Sequence, residues 1–234
     1  MKTIVAALLA ASGLSATGLH AQQADRFRIA PVFGVVRFDK TSALSATDGN
    51  KLWASGGLSA DYAVTPSIRA GLYLEYQRPT TSADYYPYAL FRTGSSYTLN
   101  GVSQVVSVLS YGIQASYNLP GRWGPFVRGG VGRHSVYADV QSQFTTQHID
   151  GTQFLLGAGI NYGVSETVGV RLELTDFMWS NWDRDDLNPV APQYQNTTFP
   201  EENPAGITLN KPSLIHNLRL AVGFSFTPSS GASR

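Results

Sequence analysis

The sequence predicts an all-β fold, an eight-stranded antiparallel up-and-down transmembrane β-barrel. Three observations predict it. Apolar and polar residues alternate with a period of two in eight successive stretches, which is the pattern of strands with two unlike faces. The connections between these stretches are long and short in turn. Glycine and charged residues share one face of the stretches, whereas aliphatic residues cover the other.

The eight predicted strands are separated by polar segments. In the third strand, Leu72 and Leu74 share the apolar face. Arg69 and Glu75 share its polar face. Pro31 weakens the centre of the first strand, because proline cannot donate a ladder hydrogen bond. The strands are predicted at about residues 27–38, 53–64, 68–78, 105–117, 125–137, 152–164, 168–175 and 214–226.

The connections indicate how the barrel is threaded. The short ones are at residues 65–67, 118–124 and 165–167, and the long ones at 39–52, 79–104, 138–151 and 176–213. Their strict alternation brings both ends of the chain to one end of the barrel. Outer-membrane barrels have short periplasmic turns and longer extracellular loops, so we expect four long extracellular loops.

The polar face indicates which side of the barrel faces lipid. Its glycines would only weaken a solvent-facing strand, but the interior of an eight-stranded barrel is just wide enough for side chains to fill. Long charged side chains cross such a lumen where the opposite wall is small, and buried charges need partners. We therefore predict a polar lumen network of Arg69, Glu75, Arg128, Arg171, Glu173 and Arg219.

Tyrosine and tryptophan gather near the ends of the predicted strands. Aromatic girdles at both membrane interfaces are typical of transmembrane barrels, although aromatic residues are also ordinary strand formers. Trp53 has the wrong parity for the apolar face of its strand. The predicted girdle comprises Trp53, Tyr62, Tyr76, Tyr117, Trp123, Tyr137, Tyr162 and Trp179.

The first residues indicate export. Lys2, an apolar run at residues 4–10 and small residues up to Ala21 occur in the order of a secretory signal peptide. We expect a signal peptide at 1–21, a barrel domain at 22–227 and a short C-terminal tail at 228–234. The chain has no cysteine, which excludes disulfides and thiolate metal sites. Without residues 1–21, Lys+Arg falls from 17 to 16 and equals Asp+Glu, so no nucleic-acid partner is indicated.

Together, the signal, the eight amphipathic strands, the short turns and the long loops resemble the small outer-membrane barrels of the OmpA/OmpX type. Residues 216–226 (HNLRLAVGFSF) are similar to the aromatic-ended last strand of these proteins. In that family this strand usually ends at or near the chain terminus, whereas here residues 227–234 follow it. The resemblance covers residues 27–227. It implies a monomer in the bacterial cell outer membrane, with the lipids of that membrane as partners.

Two groups of residues bear on chemistry. His134 and Ser135 are similar to the His and Ser of lipid A deacylase barrels, which lie two residues apart on one face. Adjacent residues of a strand face opposite sides, so we expect no Ser–His hydrogen bond and no enzymatic activity. A weak candidate for Ca²⁺ lies in the longest loop, but it lacks the glycine and the distal glutamate of a calcium loop. We therefore expect no cofactor, and a solvated acidic loop at Asp183, Asp185 and Asp186.

These features favour a structural or surface-interaction barrel, with a charge-plugged lumen and possible partner contacts through the long loops. One alternative is a narrow channel for small solutes, but paired Arg and Glu would block it, and wide pores need more strands. The other is a soluble periplasmic lipocalin-like ligand carrier. Its apolar face would point inward, which leaves the glycines of the polar face unexplained.

Overall fold

The computed structural model describes residues 27–42, 44, 52–80, 88–93, 96–101, 105–138, 147–182 and 213–227. These ranges contain ten strands and a single 3₁₀ turn, Lys40–Ser42. The strands are β1 (Phe27–Arg37), β2 (Trp53–Ala63), β3 (Ile68–Gln77), β4 (Tyr88–Thr93), β5 (Ser96–Gly101), β6 (Val106–Asn118), β7 (Trp123–Ala138), β8 (Gln147–Gly163), β9 (Val168–Ser180) and β10 (Leu214–Phe226).

Eight of these strands close into a barrel in the order β1-β10-β9-β8-β7-β6-β3-β2. Every neighbouring pair is antiparallel, and this confirms the predicted eight-stranded antiparallel barrel. The other two strands, β4 and β5, pair with each other outside the barrel. They lie in the second long connection, where the sequence analysis predicted no strand.

The barrel closes between its first and last strands. Ile29 pairs with Phe226 and Arg37 with Leu218, and the other edge of β1 pairs with β2. The ladder to β10 is interrupted at Ala30 and Pro31, where the proline has no N–H to donate. Closure removes the two free edges that an open eight-stranded sheet would expose. Within the described ranges, no helix is long and apolar enough to cross a membrane.

Three strands are longer than the alternation predicts. β8 begins at Gln147 rather than 152, β9 continues to Ser180 rather than 175, and β7 pairs with β8 as far as Ala138. In these extensions the interior side chains are apolar and the outward ones, apart from Met178, are polar, the reverse of the pattern nearer the short turns. The apolar pattern therefore changes face along the strand, which hides the extension from a simple search for alternation.

The two ends of the barrel differ. Tight turns join β2 to β3 and β8 to β9, where the carbonyls of Ile68 and Val168 each accept two backbone hydrogen bonds. Gly121, with φ of 126°, allows the turn between β6 and β7. These turns, the start of β1 at Phe27 and the end of β10 at Phe226 form the short-turn end. The long connections leave from the opposite end, the long-loop end.

An apolar band surrounds the outside of the barrel. Six strands each present nine residues whose outward positions are all apolar, and within this band Leu72, Ile113 and Leu156 are 60%, 60% and 61% exposed. A transmembrane strand needs about 9–11 residues, and the band matches that length. The nine-residue segments are 27–35, 68–76, 109–117, 123–131, 154–162 and 218–226.

Candidate functional site

The centre of the lumen is organised around one carboxylate. Glu173 on β9 accepts hydrogen bonds from Arg128 at 2.8 Å and from Arg171 at 2.5 Å, and it also pairs with Arg219. The side chains of Arg171, Glu173 and Arg219 are at most 1% exposed. Three guanidinium groups therefore converge on one buried acid, and each contact is a charge-assisted hydrogen bond.

A second carboxylate reaches this group from the far wall. Glu75 on β3 pairs with Arg219 on β10, and Thr175 accepts hydrogen bonds from Arg128 at 2.8 Å and from Arg219 at 3.3 Å. A Cβ atom at Gly57 would overlap the carboxylate of Glu75. The glycine therefore leaves the space in which the glutamate lies, as expected for a lumen that side chains fill.

The network continues toward the short-turn end through residues that the sequence analysis did not include. Arg128 donates to Gln114 at 3.0 Å, and Gln114 donates to Asp61 at 2.7 Å. Asp61 also accepts a hydrogen bond from Arg28 at 3.2 Å. Arg28, Asp61 and Gln114 all have the parity of the polar face, and that parity is the signal that would have identified them.

Arg69, also predicted for the lumen, lies at the short-turn end. It is half-buried and lines a cavity of about 250 Å³ together with Arg28, Asn118 and Asn161. The other five predicted lumen residues form ion pairs with one another. The structure therefore brings five of the six together and places the sixth at the mouth of the barrel.

The lumen carries more positive than negative charge. The described interior side chains include five arginines, at positions 28, 69, 128, 171 and 219, and three acids, Asp61, Glu75 and Glu173, a difference of +2. Two of the arginines also lie over aromatic rings: Arg171 is 4.1 Å from the ring centroid of Phe126, and Arg219 is 5.3 Å from that of Phe177. Such cation–π contacts stabilise part of the excess charge.

A short chain of hydrogen bonds lies between the charged network and the long-loop end. Gln153, which is fully buried, donates to the hydroxyl of Tyr73 at 3.0 Å and accepts from the indole of Trp179 at 2.8 Å. The ring of Tyr73 packs against Phe177, with their centroids 6.5 Å apart. These side chains form the transition from the charged centre to an apolar region above it.

That apolar region is a cluster of buried side chains inside the long-loop end, which we call the apolar cap. Trp179 packs edge to face on Phe38 at 5.8 Å, and the indole of Trp182 donates to the carbonyl of Ser42 at 3.2 Å. The cap fills the barrel interior at the point where the outward side chains become polar. It comprises Val36, Phe38, Leu44, Val106, Val108, Val136, Ile149, Trp179, Trp182 and Ile215.

Two predicted girdle residues, Trp53 and Trp179, lie inside the barrel, so their assignment to the girdle is wrong. Trp179 is 1% exposed and belongs to the apolar cap, because the interior of this part of β9 is apolar. Trp53 also lies on the interior face, packs against the cap and donates to the carbonyl of Leu44 at 3.1 Å. Parity alone would have excluded Trp53.

The other six predicted girdle residues face outward. At the short-turn end, Trp123 contacts Tyr162 with ring centroids 4.5 Å apart. At the long-loop end, Tyr137 stacks on His148 at 4.3 Å. They lie near both edges of the apolar band: Tyr62, Tyr76, Trp123 and Tyr137 are exposed, and Tyr117 and Tyr162 are partly exposed.

His134 and Ser135 lie on opposite faces of β7, as alternation predicts. His134 is fully buried and stacks on Trp179 at 4.3 Å. Ser135 points outward and donates a hydrogen bond to Asp150. His148 lies 3.1 Å from the same carboxylate. A hydrolytic relay needs the histidine between the nucleophile and the acid. Here the acid is in the middle, so the cluster lacks that order.

Several predictions fall outside the described residues. The signal peptide, the start of the barrel domain at 22–26 and the C-terminal tail are among them. So is the acidic loop of Asp183, Asp185 and Asp186. In the part of the chain that the structure does describe, no group of three or more histidines and acids is placed to hold a metal ion.

Comparison with known proteins agrees with this architecture. The model of the outer membrane protein beta-barrel domain matches residues 6–199, more than four fifths of the chain. No curated protein matches the chain. Several solved structures do.

Neisserial surface protein A is 12% identical, with a TM-score of 0.52 over 86% of this chain and 97% of that one. The N-terminal barrel domain of Pseudomonas aeruginosa OprF is 15% identical, with a TM-score of 0.42 over 86% and 98%. Ail, the attachment invasion locus protein of Yersinia pestis, is 10% identical, with a TM-score of 0.43 over 86% and 98%. At these identities the likeness concerns the fold alone.

Proposed function

The chain belongs to the outer membrane protein β-barrel family, and from this we propose that its lumen is closed to solutes and its long loops act at the cell surface. Its location is the bacterial outer membrane, and its general role is structural or surface-related. The observation that carries the proposal of a closed lumen is the convergence of Arg128, Arg171 and Arg219 on Glu173.

Two successive layers support closure. The charged layer spans the lumen from Glu75 on one wall to Glu173 on the other. Beyond it, Trp179, Trp182 and the other side chains of the apolar cap pack together inside the long-loop end. A hydrated ion would have to break buried ion pairs in the first layer and lose its water in the second, and both steps are costly.

The orientation follows from the connections. Barrels of this type have short periplasmic turns and longer extracellular loops. We therefore place the short-turn end, with Arg28 and Arg69 at its mouth, toward the periplasm. The long connections then lie at the cell surface, where they are available to a partner, and the barrel itself acts as a monomer.

Planar-bilayer recording tests the closed lumen. After refolding in detergent, the intact barrel is first verified by its faster gel migration before boiling. Reconstituted protein is then expected to give no stable single-channel steps over a range of voltages. Reproducible steps from the wild-type chain would instead favour the narrow channel for small solutes.

A soluble ligand carrier is the weaker alternative. It would need the aliphatic side chains inside the barrel, around a ligand, but Leu72, Ile113 and Leu156 lie on its outer surface. Fractionation tests this directly: we expect the protein in the outer-membrane fraction, and recovery in the soluble periplasm would overturn the proposal.

We also propose that the chain has no enzymatic activity. Ser135 is the best-placed nucleophile among the described outward residues, and its partner is Asp150 rather than a histidine. A lipid-deacylation assay with the refolded protein is expected to show no product. Activity that is lost in Ser135→Ala but kept in Ser107→Ala, another outward serine, would contradict this.

A further inference from the structure

A polar and aromatic surface borders the apolar band on β3, β6 and β7, just beyond its edge at the long-loop end. Arg133 is the first outward residue beyond the band on β7, and Arg78 holds the same position immediately after β3. Both are exposed. The surface, which we call the Arg–Tyr patch, comprises Tyr76, Arg78, Ser107, Tyr111, Arg133 and Tyr137.

The register of the strands brings these residues together. Tyr111 lies directly opposite Arg133, and Ser107 lies opposite Tyr137. The hydroxyl of Tyr76 is 3.1 Å from that of Ser107. The rings of Tyr76, Tyr111 and Tyr137 are 47%, 41% and 39% exposed, so they form a surface rather than a packed core.

We propose that the Arg–Tyr patch binds the phosphate group of an anionic lipid in the outer leaflet. Arginine pairs with phosphate through two parallel N–H donors, and hydroxyl groups at the same height add further donors. The patch is continuous with the apolar band, so a lipid whose chains lie along the band has its head group at the height of Arg133. This assignment to the outer leaflet rests on the orientation proposed above.

Asp150 offsets part of the charge of Arg133 by coulombic attraction, but its carboxylate is shared with two other groups. Asp150 lies opposite Ser135, accepts its hydrogen bond and lies 3.1 Å from His148. Its carboxylate is therefore engaged on the β8 side of the patch. Coulombic attraction between an exposed arginine and an anionic group acts over about one Debye length, about 8–10 Å in physiological salt, so Arg78 and Arg133 each attract a phosphate that lies within that distance.

The opposite edge of the band is different. Within the described residues, the first outward positions beyond the band at the short-turn end include Pro66, Leu119 and Val164, and none is basic. The turns there supply one arginine, Arg122, which lies over the ring of Tyr162 at 4.9 Å, and one acid, Glu166. Among the described residues, the first outward positions beyond the band carry arginine at the long-loop end, at Arg37, Arg78 and Arg133, and not at the short-turn end; the same long-loop edge also carries the acids Asp150 and Asp176.

Lipid spin labels test this proposal. The full chain is reconstituted in phosphatidylcholine bilayers with a trace of spin-labelled phosphatidic acid or spin-labelled phosphatidylcholine, and the immobilised fraction gives a relative association constant. A basic side chain near an anionic surface favours binding by about five-fold. We therefore expect the association constant of phosphatidic acid to be clearly higher than that of phosphatidylcholine. The ratio of the two constants is expected to fall about five-fold in Arg133→Gln and in Arg78→Gln.

Two matched variants complete the experiment. Arg133→Lys keeps the charge and is expected to keep most of the preference. Arg122→Gln removes one charge at the other edge of the band and is expected to leave it unchanged. Equal association of the two labels with the wild type would overturn the proposal, and so would an equal loss in Arg122→Gln and Arg133→Gln. Gel migration confirms the folded barrel in each variant, and neither lumen conductance nor orientation enters the measurement.

Discussion

Glu173 on β9 accepts a hydrogen bond from Arg128 on β7 at 2.8 Å, although β8 lies between the two strands. The arginine reaches the acid by passing over Gly157, which leaves room on the interior face of β8. A Cβ atom at that position would lie 3.1 Å from Arg128 Nε and from Thr175 Oγ1. The ion pair at the centre of the lumen thus depends on a residue that takes no part in it.

Replacing Glu173 with glutamine tests the central ion pairs. The variant leaves the three guanidinium groups without their shared charge, and breaking buried pairs in this way costs about 3–5 kcal/mol of unfolding free energy. Urea unfolding in detergent micelles, followed by gel migration, measures the change. Glu166→Gln serves as the control, because Glu166 lies on an exposed turn at the short-turn end. It is expected to change stability by less than about 0.5 kcal/mol. Equal stability of the two variants would contradict the role of Glu173.

Filling the space at Gly157 tests how the ion pair is accommodated. Gly157→Val places two methyl groups against Arg128 and Thr175, and overpacking of this kind costs about 1–3 kcal/mol. Gly129→Val is the matched control, because Gly129 faces outward and a Cβ there meets only the carbonyl of Leu155 at 3.8 Å. We expect unfolding at lower urea for the first variant only. Similar midpoints for both would show that the lumen has spare room.

Fluorescence quenching distinguishes tryptophans on the outer face of the barrel from those inside it. The chain has four tryptophans. Of these, Trp123 is 66% exposed on the outer face, whereas Trp179 and Trp182 are buried inside and Trp53 packs against the apolar cap. Brominated lipid tails are therefore expected to quench Trp123 selectively. Trp123→Phe should remove most of the lipid-dependent quenching, whereas Trp179→Phe should leave it in place. The opposite result would show that Trp179 contacts lipid and belongs to the aromatic girdle.

An arginine scan along one face of β8 tests the position of the membrane. Ala158 and Thr152 both point outward, the first in mid-band and the second just beyond the edge. An arginine costs about 2–4 kcal/mol at the bilayer midplane and about 0–1 kcal/mol near the interface. Folding into phosphatidylcholine vesicles should therefore be impaired in Ala158→Arg and almost normal in Thr152→Arg. Equal effects would mean that the band does not coincide with the hydrocarbon layer.

Much of the fold could be read from local patterns. Strand β3 keeps one face apolar from end to end, so its alternation revealed both its existence and its register. The strand extensions could not be found in this way, because the apolar face of β9 changes from outside at Leu174 to inside at Phe177. The pair β4–β5 lies in a connection without such alternation, for which the sequence predicted only a long loop.

The lumen was only partly predictable for a related reason. Parity places Arg69, Arg128, Arg171 and Arg219 on one face, but it does not tell how far along the barrel each one lies. Arg69 shares the face and yet lies at the mouth, since its position on β3 is next to the short turn. Parity also places Arg28 and Asp61 on this face, and their contact across β1 and β2 joins them to the network.

The sequence by itself determined the number of barrel strands, their antiparallel order and the face that meets lipid, because each of these follows from residue alternation and the length of the connections. Only the tertiary structure decided which charges meet, that Trp179 points inward and where the apolar cap begins. Those features depend on strand tilt and stagger, which bring residues far apart in the chain to one height in the lumen. No local pattern carries that information.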